Sequence, residues 1–152
     1  NWLDSDGKEY TDTQVKNQIN DYIDLGGKIF VGSDSMLYAT NCSFSVVIAF
    51  HDRRQNVAKY YYKKFKSKSK VYKDIKVKIM EEVNLAVQAA QYVLSVRPDA
   101  PIEIHVDIGT KKTCLTSKLY NLIKGWLTGL GFSFKVKPES WASSSVADWH
   151  TK

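Results

Sequence analysis

Four acidic side chains, far apart along the chain, have the residue types and local contexts of divalent-metal ligands. They are Asp34, Glu82, Asp107 and Asp148. Hydrolysis of a phosphodiester needs an activated water, a stabilised leaving oxygen and neutralised charge at phosphorus, and two divalent ions about 4 Å apart supply all three. Hard Mg²⁺ or Mn²⁺ favours carboxylate oxygens. A cluster of three or four Asp and Glu side chains therefore points to metal-dependent phosphodiester chemistry.

Each of these acids also has a purely structural interpretation. Asp34 and Asp107 both end apolar strand-like runs, where turn residues are common. Glu82 could instead be an ordinary glutamate at the border of a buried helix face. Asp148 could instead be a solvated residue near the C-terminus. Two strands that each end in an aspartate are more informative than one. Neighbouring strands of a sheet would bring both carboxylates to the same edge of the fold.

The long helix-like run contains two consecutive glutamates, and its periodicity distinguishes them. Apolar residues recur at spacings of three and four from Ile75 to Val93, which predicts one buried stripe. At 100° per residue, Glu82 lies about 60° from Ile79 on the flank of that stripe, whereas Glu81 points towards solvent. Glu82 is therefore the glutamate that we expect to face the sheet.

Three further side chains lie close to the acids in sequence. Ser35 follows the first aspartate, where its hydroxyl would orient a water, contact substrate or simply serve a turn. His105 lies two residues before Asp107 on the same strand face. It is a candidate partner of a carboxylate or a proton shuttle, and a hydrogen-bonded core histidine is the commoner case. His150, two residues after the last aspartate, is a candidate general acid or base, although many terminal histidines have no such role.

Lysines crowd the end of the third predicted strand and the start of the long helix. Interleaved with Tyr60, Tyr61 and Tyr62, they are suited to stacking bases and following a phosphate backbone. The alternative is that the tyrosines pack in the sheet while the lysines protect its edge from pairing. A further lysine pair follows the fourth strand, where it would contact a phosphate or simply belong to a solvated loop. The lysines expected to contact nucleic acid are Lys63, Lys64, Lys66, Lys68, Lys70, Lys111 and Lys112.

The composition is that of a globular protein with a basic surplus. The 152 residues carry a net charge of +6, which favours polyanionic partners but also serves solubility alone. The two cysteines, Cys42 and Cys114, stand apart without metal-ligand spacing, which disfavours a zinc site and indicates reduced thiols. No apolar run approaches the roughly 20 residues that span a bilayer, and no signal peptide is recognisable, so we expect a cytoplasmic protein.

The hydrophobic pattern predicts five strands and four helical segments. The predicted strands cover residues 28–35, 42–51, 57–66, 102–108 and 132–136. The predicted helices begin at a Thr11 or Asp12 cap, cover 71–96 and about 115–130, and lie around 143–150. An antiparallel meander followed by alternating helix and strand indicates an α/β fold with a mixed five-stranded sheet and helices on both faces. We expect one domain over residues 1–152, with 1–27 as a helical extension.

Four segments together resemble the YkuK-type family of predicted ribonuclease H-like nucleases, which are related in fold to RuvC-type resolvases. The segments are 32–35, 78–83, 104–109 and 137–148, and the resemblance covers roughly residues 28–152. It implies a ribonuclease H-like fold in which Asp34, on the first strand, bridges the metal ions. Glu82 and Asp107 would complete one ion site. Asp148 would hold the other ion.

The hypothesis that follows is a Mg²⁺- or Mn²⁺-dependent nuclease that hydrolyses phosphodiester bonds of RNA or DNA. The alternative is a non-catalytic module on the same fold whose basic stripe binds RNA or DNA. A small-molecule phosphotransferase ranks last, because a chain of this size lacks the second lobe with which actin-like ATPases close over a nucleotide.

Overall fold

A seven-stranded mixed sheet forms the centre of the protein. The computed structural model describes residues 1–52, 57–108 and 114–151. The strands are β1 (Trp2–Leu3), β2 (Glu9–Tyr10), β3 (Lys28–Leu37), β4 (Cys42–Asp52), β5 (Val57–Ser67), β6 (Ile102–His105) and β7 (Ser133–Lys135). The helices are α1 (Asp12–Asp24), α2 (Ile75–Val96), α3 (Cys114–Gly129) and α4 (Asp148–Thr151). A 3₁₀ turn (Lys70–Lys73) precedes α2, and a π-helical segment (Ala142–Ala147) precedes α4.

The predicted meander forms the middle of the sheet. In the order β2-β1-β5-β4-β3-β6-β7, strand β4 pairs antiparallel with both β3 and β5, while β6 runs parallel to β3 and β7 parallel to β6. All five predicted strands are present, and the mixed α/β sheet is confirmed. The number five is wrong, because two short strands extend the sheet at one edge.

These two strands form an N-terminal hairpin that pattern analysis missed. β1 pairs antiparallel with β2 and, through Leu3, with Tyr62 of β5. Asp4 closes the turn by accepting hydrogen bonds from the backbone N–H groups of Asp6 and Lys8 at 2.9 Å. Strands of two residues are too short for an alternating pattern. The expected extension over residues 1–27 is therefore part strand and part helix.

Helix α1 begins where the sequence predicted. Thr11 is its N-cap, and a capping box joins the Thr11 hydroxyl to the Gln14 N–H and the Gln14 side chain to the Thr11 N–H. Val15 and Ile19 on its apolar stripe are fully buried. With α2 and α3, the helix covers one face of the sheet over the main hydrophobic core.

The C-terminal segment covers the opposite face of the sheet. Ala147 packs there against Val47 and Ala49 of β4, and Trp141 and Phe30 join this smaller cluster. Helices on both faces, as predicted, therefore sandwich the central strands. Strand β3 and the C-terminal segment come closest at Gly32, where an added Cβ would lie 2.7 Å from the backbone nitrogen of Ser143.

The C-terminal helix buries only part of its apolar surface. Val146 packs against the smaller cluster, whereas the Trp149 side chain is 73 % exposed. The Asp148 N–H donates to the carbonyl of Ser143, five residues back, so the first part of the segment is π-helical. Ala142, Ser143, Ala147 and Thr151 are fully buried. Ala142 and Ala147 are five residues apart, a spacing that the wider π-helical turn allows and that the 3.6-residue periodicity does not predict.

Candidate metal centre

Two of the predicted acids lie side by side because their strands are parallel neighbours. The register aligns Gly32 of β3 with His105 of β6, so Asp34 and Asp107 each lie two residues beyond the same pair. Asp34 is 5 % exposed, and the Asp107 side chain is 17 % exposed. The two aspartates are therefore neighbours, as predicted, although Asp34 lies within β3 rather than at its end and Asp107 lies just beyond the last residue of β6.

Glu82 approaches this edge from helix α2. It is 6 % exposed, so the helix angle that favoured it over Glu81 is confirmed. The Ser35 hydroxyl donates to Glu82 Oε1 at 2.7 Å, and Lys78 donates to the Ser35 hydroxyl at 3.0 Å. Ser33 also donates to the backbone carbonyl of Glu82. The alternate residues of β3 therefore anchor the helix turn that carries this carboxylate.

Asp148 reaches the same edge from the other face of the sheet. Ser45, which pairs with Asp34 in the register, donates its hydroxyl hydrogen bond to the carbonyl of Ala147. His105 accepts the backbone N–H of Ala142 at Nδ1 (3.0 Å), and its Nε2 lies 2.9 Å from a Glu103 oxygen. His105 is thus a buried, hydrogen-bonded histidine that holds the C-terminal segment.

The four carboxylates form one electrostatically coupled cluster. Burial, the charge of Glu82, a hydrogen bond with Asp148 and the charge of Asp107 together raise the pKa of Asp34 to about 9. Burial likewise raises the pKa of Glu82, against the opposing effects of Ser35, Lys78 and Asp34. The cluster is therefore costly to ionise and requires positive charge or protons to balance it.

Two lysines provide part of that balance. Lys137 Nζ lies 2.9 Å from Asp107 Oδ1, and Lys78 Nζ lies 4.0 Å from Glu82 Oε1. The contact with Asp107 raises the pKa of Lys137, and the charges of Asp34 and Glu82 add to this effect. Lys137 is therefore tied electrostatically to the whole acid cluster.

The donor set fits a hard divalent cation. All four side chains offer carboxylate oxygens, which Mg²⁺ and Mn²⁺ prefer. A divalent ion would offset the burial and the neighbouring charges that raise the pKa of Asp34, and it would take over from Lys137 as the partner of Asp107 Oδ1. Within the described ranges, no three His, Cys, Asp or Glu side chains already have the spacing of a metal-binding group. Binding an ion would therefore require the carboxylates and Lys137 to rearrange.

Comparison with known proteins agrees with this arrangement. A family model described as Ribonuclease H-like matches residues 11–152. The chain belongs to the ribonuclease H-like family. No curated protein and no solved structure matches the chain significantly. Membership of the ribonuclease H-like family indicates a nucleic-acid-related, nuclease-type function, and it confirms the family that the sequence motifs resembled.

The lysines predicted to bind nucleic acid lie on both faces of this ribonuclease H-like sheet. Lys64 and Lys66 pair with Ser45 and Ser43 of β4 and share the face of the C-terminal segment. Lys63 lies on the opposite face, with its Nζ 4.6 Å from the centroid of the Trp2 ring. The predicted stripe is therefore split by the alternation of β5.

The other predicted lysines lie near the β3–β4 turn or outside the described residues. Lys68 and Lys70 line a cavity of about 200 Å³, and Lys73 and residues 37–41 of the turn also line it. This turn continues β3 beyond Asp34, at the same end of the sheet as the acids. Lys111 and Lys112 lie outside the described residues.

His150 packs against two tyrosines of β5. Its Nε2 lies 2.9 Å from the Tyr60 hydroxyl, and its ring stacks on Tyr62 with centroids 3.6 Å apart. Burial and the charge of Lys64 lower the pKa of His150. These contacts place the imidazole in the aromatic cluster on β5, and a general acid–base role for it stays an untested prediction.

Sequence analysis missed both lysines that contact the acids. Lys78 precedes Glu82 by four residues, a spacing that brings side chains together on a helix and was available as a signal. Lys137 is 30 positions from Asp107, and no local pattern predicts that contact. None of the described helices is both long and apolar enough to span a membrane.

Proposed function

We propose that this protein is a divalent-metal-dependent nuclease that hydrolyses phosphodiester bonds of RNA or DNA. The observation that carries the proposal is the meeting of four carboxylates from separate parts of the chain, where burial and then the neighbouring acids raise the pKa of Asp34 to about 9. Such a cluster destabilises the fold unless a ligand uses it, and perturbed carboxyl groups concentrate at functional sites. The family membership supports the same conclusion.

In the proposed site the acids would hold the metal ions, and neighbouring side chains would position the acids. Asp34, Glu82, Asp107 and Asp148 would hold Mg²⁺ or Mn²⁺, which supplies an activated water and neutralises charge at the phosphate. Ser35 orients Glu82 through its 2.7 Å hydrogen bond, and Lys78 fixes Ser35 in turn. His105 positions the segment that carries Asp148 through the backbone of Ala142.

The basic side chains would bind the substrate backbone. Lys64 and Lys66 lie on the same face as Asp34 and the C-terminal segment, beside the rings of Tyr60 and Tyr62. Lysines of this kind position a nucleic acid through its phosphates without reading its sequence. Stacking of unpaired bases on the tyrosines would add affinity that does not depend on the nucleotide sequence.

The direct test compares cleavage of labelled RNA and DNA by the wild type, Asp34→Asn and Asp107→Asn in Mn²⁺ or Mg²⁺. Each substitution should slow cleavage at least about 100-fold, because the loss of metal-held charge stabilisation costs several kcal/mol in the transition state. Asp21→Asn, an exposed aspartate on α1, is the matched control and should cleave as the wild type does.

Two results would contradict the proposal. One is equal cleavage by the wild type and Asp34→Asn, which would assign the activity to a contaminant or to another site. The other is tight, strongly salt-dependent binding of nucleic acid with no cleavage in either metal, which would establish the non-catalytic binding module instead.

A further inference from the structure

A second basic groove lies on the opposite side of the acid cluster from the β5 lysines. It runs between α3 and the edge strand β7 and encloses about 510 Å³. Its principal side chains are Tyr120, Lys124, Phe134, Lys135, Lys137 and Glu139. None of these side chains was selected by the sequence patterns.

One residue connects this groove to the candidate metal centre. Lys137 lines the groove, and its Nζ lies 2.9 Å from Asp107 Oδ1. Lys135 precedes it by two residues and pairs in the sheet with His105, which itself lies two residues before Asp107. The groove therefore begins where the acid cluster ends.

The lining has the chemistry of a nucleotide subsite. Lys135 lies 3.9 Å from the Glu139 carboxylate and Lys137 lies 2.9 Å from Asp107, while Lys124 adds a third ammonium group, so the lining keeps a positive surplus after both acids are counted. This balance favours an anionic ligand. The rings of Tyr120 and Phe134 lie with centroids 6.3 Å apart and inclined at 54°, so they offer an apolar wall beside the cations. Aromatic rings beside lysines are suited to unpaired bases and their phosphates.

We propose that this groove binds an unpaired nucleotide next to the phosphate that is cleaved at the acid cluster. The inference rests on the proposed nuclease function and specifies its substrate as nucleic acid that is single-stranded beside the reacting phosphate. The volume matches a small-molecule site rather than a duplex. Lys124 and Lys135 contact the flanking phosphates, and Lys137 directs the strand from the groove to Asp107.

The test measures binding rather than cleavage. A fluorescein-labelled single-stranded octamer, as RNA and as DNA, is titrated in EDTA with wild type, Lys124→Ala/Lys135→Ala and the control Lys8→Ala/Lys16→Ala. Lys8 lies beside β2 at the far edge of the sheet, and Lys16 lies on α1, so the control removes the same charge elsewhere. Circular dichroism melts establish that each variant is folded.

The groove variant should raise Kd at least fivefold and lower the slope of log K against log salt by about 1.4, the value for two lost phosphate contacts on a single strand. The control should keep the wild-type slope to within about 0.5. Tyr120→Leu, which preserves apolar bulk, should reduce quenching of a 2-aminopurine base placed in the octamer. A groove variant with the wild-type Kd and slope overturns the inference.

The binding and cleavage experiments together distinguish failure of the groove proposal from failure of the proposed nuclease function. Loss of cleavage in Asp34→Asn together with wild-type binding by the groove variant would retain the nuclease and reject the groove. Weaker binding by the groove variant, together with wild-type cleavage by Asp34→Asn, would retain the groove as a binding site and reject the nuclease.

Discussion

At the residue scale, the surroundings of each carboxyl group decide its chemistry. Asp12 accepts a hydrogen bond from the Trp2 indole, which lowers the pKa of this carboxyl. Asp34 is the same residue type, but burial and the charge of Glu82 raise its pKa to about 9. The contrast separates a structural aspartate from one that a cation or a proton must neutralise.

The raised pKa predicts that stability in EDTA falls with increasing pH. Asp34 binds its proton far more tightly in the folded protein than in the unfolded chain, where the ordinary value near 3.8 applies. Its contribution is complete below about pH 4 and is lost as the pH rises through about 9. Thermal unfolding between pH 5 and 9 should show the wild type losing stability relative to Asp34→Asn.

Comparing the two proteins cancels the other titrating groups. Asp34→Asn has no carboxyl group at this position, so it should be the more stable of the two at the alkaline end. Addition of Mn²⁺ should raise the wild-type melting temperature more than that of Asp34→Asn. Parallel pH profiles for the two proteins would show that Asp34 ionises normally and would refute the coupling of the cluster.

At the element scale, the contact between β3 and the C-terminal segment sets the position of Asp148. A Cβ at Gly32 would lie 2.7 Å from Ser143 N and 2.9 Å from the Ala142 carbonyl carbon, both backbone atoms that cannot rotate aside. Gly32 therefore permits the close packing of the two elements, two residues before Asp34 on the same strand face.

Gly32→Ala should move or loosen the segment that carries Asp148. We expect a loss of about 1–3 kcal/mol in the free energy of unfolding, as for other overpacked sites, and slower cleavage. Gly125→Ala is the matched control, since an added Cβ in this part of α3 meets no atom within 4 Å. It should stabilise the protein by about 0.5–1 kcal/mol, because alanine favours a helix. Denaturant unfolding with both variants measures the difference, and equal stabilities would contradict the packing argument.

At the scale of the whole molecule, the sheet divides the basic residues between two surfaces. Lys64 and Lys66 share a face with the C-terminal segment, while Lys63, which directly precedes Lys64 in sequence, covers Trp2 on the other face. The net charge of +6 is therefore less informative than its distribution. In the proposed function, Lys64 and Lys66 would meet the nucleic acid that reaches the acids, because they share the face of Asp34.

This division predicts that neighbouring lysines differ in function. Lys64→Ala/Lys66→Ala should weaken oligonucleotide binding by roughly 10- to 30-fold at 0.1 M salt, as expected when two phosphate contacts are lost. Lys63→Ala should leave binding within about twofold of the wild type and lower the melting temperature slightly, because the cation–π contact with Trp2 is lost. Equal loss of binding in both variants would place the substrate across both faces and contradict the assignment.

Much of the fold and the acid cluster follows from local pattern. Alternation along β6 places Ile104 in the core and His105 on the opposite face, two residues before Asp107, and helical periodicity selects Glu82 over Glu81. Patterns of this kind are readable because burial on one face repeats every two residues in a strand and every 3.6 in a helix. The two-residue hairpin strands and the π-helical turn before Asp148 escaped prediction because neither repeats long enough, or at the usual spacing.

The sequence by itself determined the mixed α/β fold and the ribonuclease H-like family, and it predicted the four acids on which the proposed site depends. Only the tertiary structure decided which charges surround them. Lys137 contacts Asp107, which lies 30 residues earlier in the sequence. Lys63 and Lys64 are adjacent in sequence but lie on opposite faces of the sheet. Contacts of this kind depend on how distant elements pack, and no local spacing encodes the electrostatic field that results.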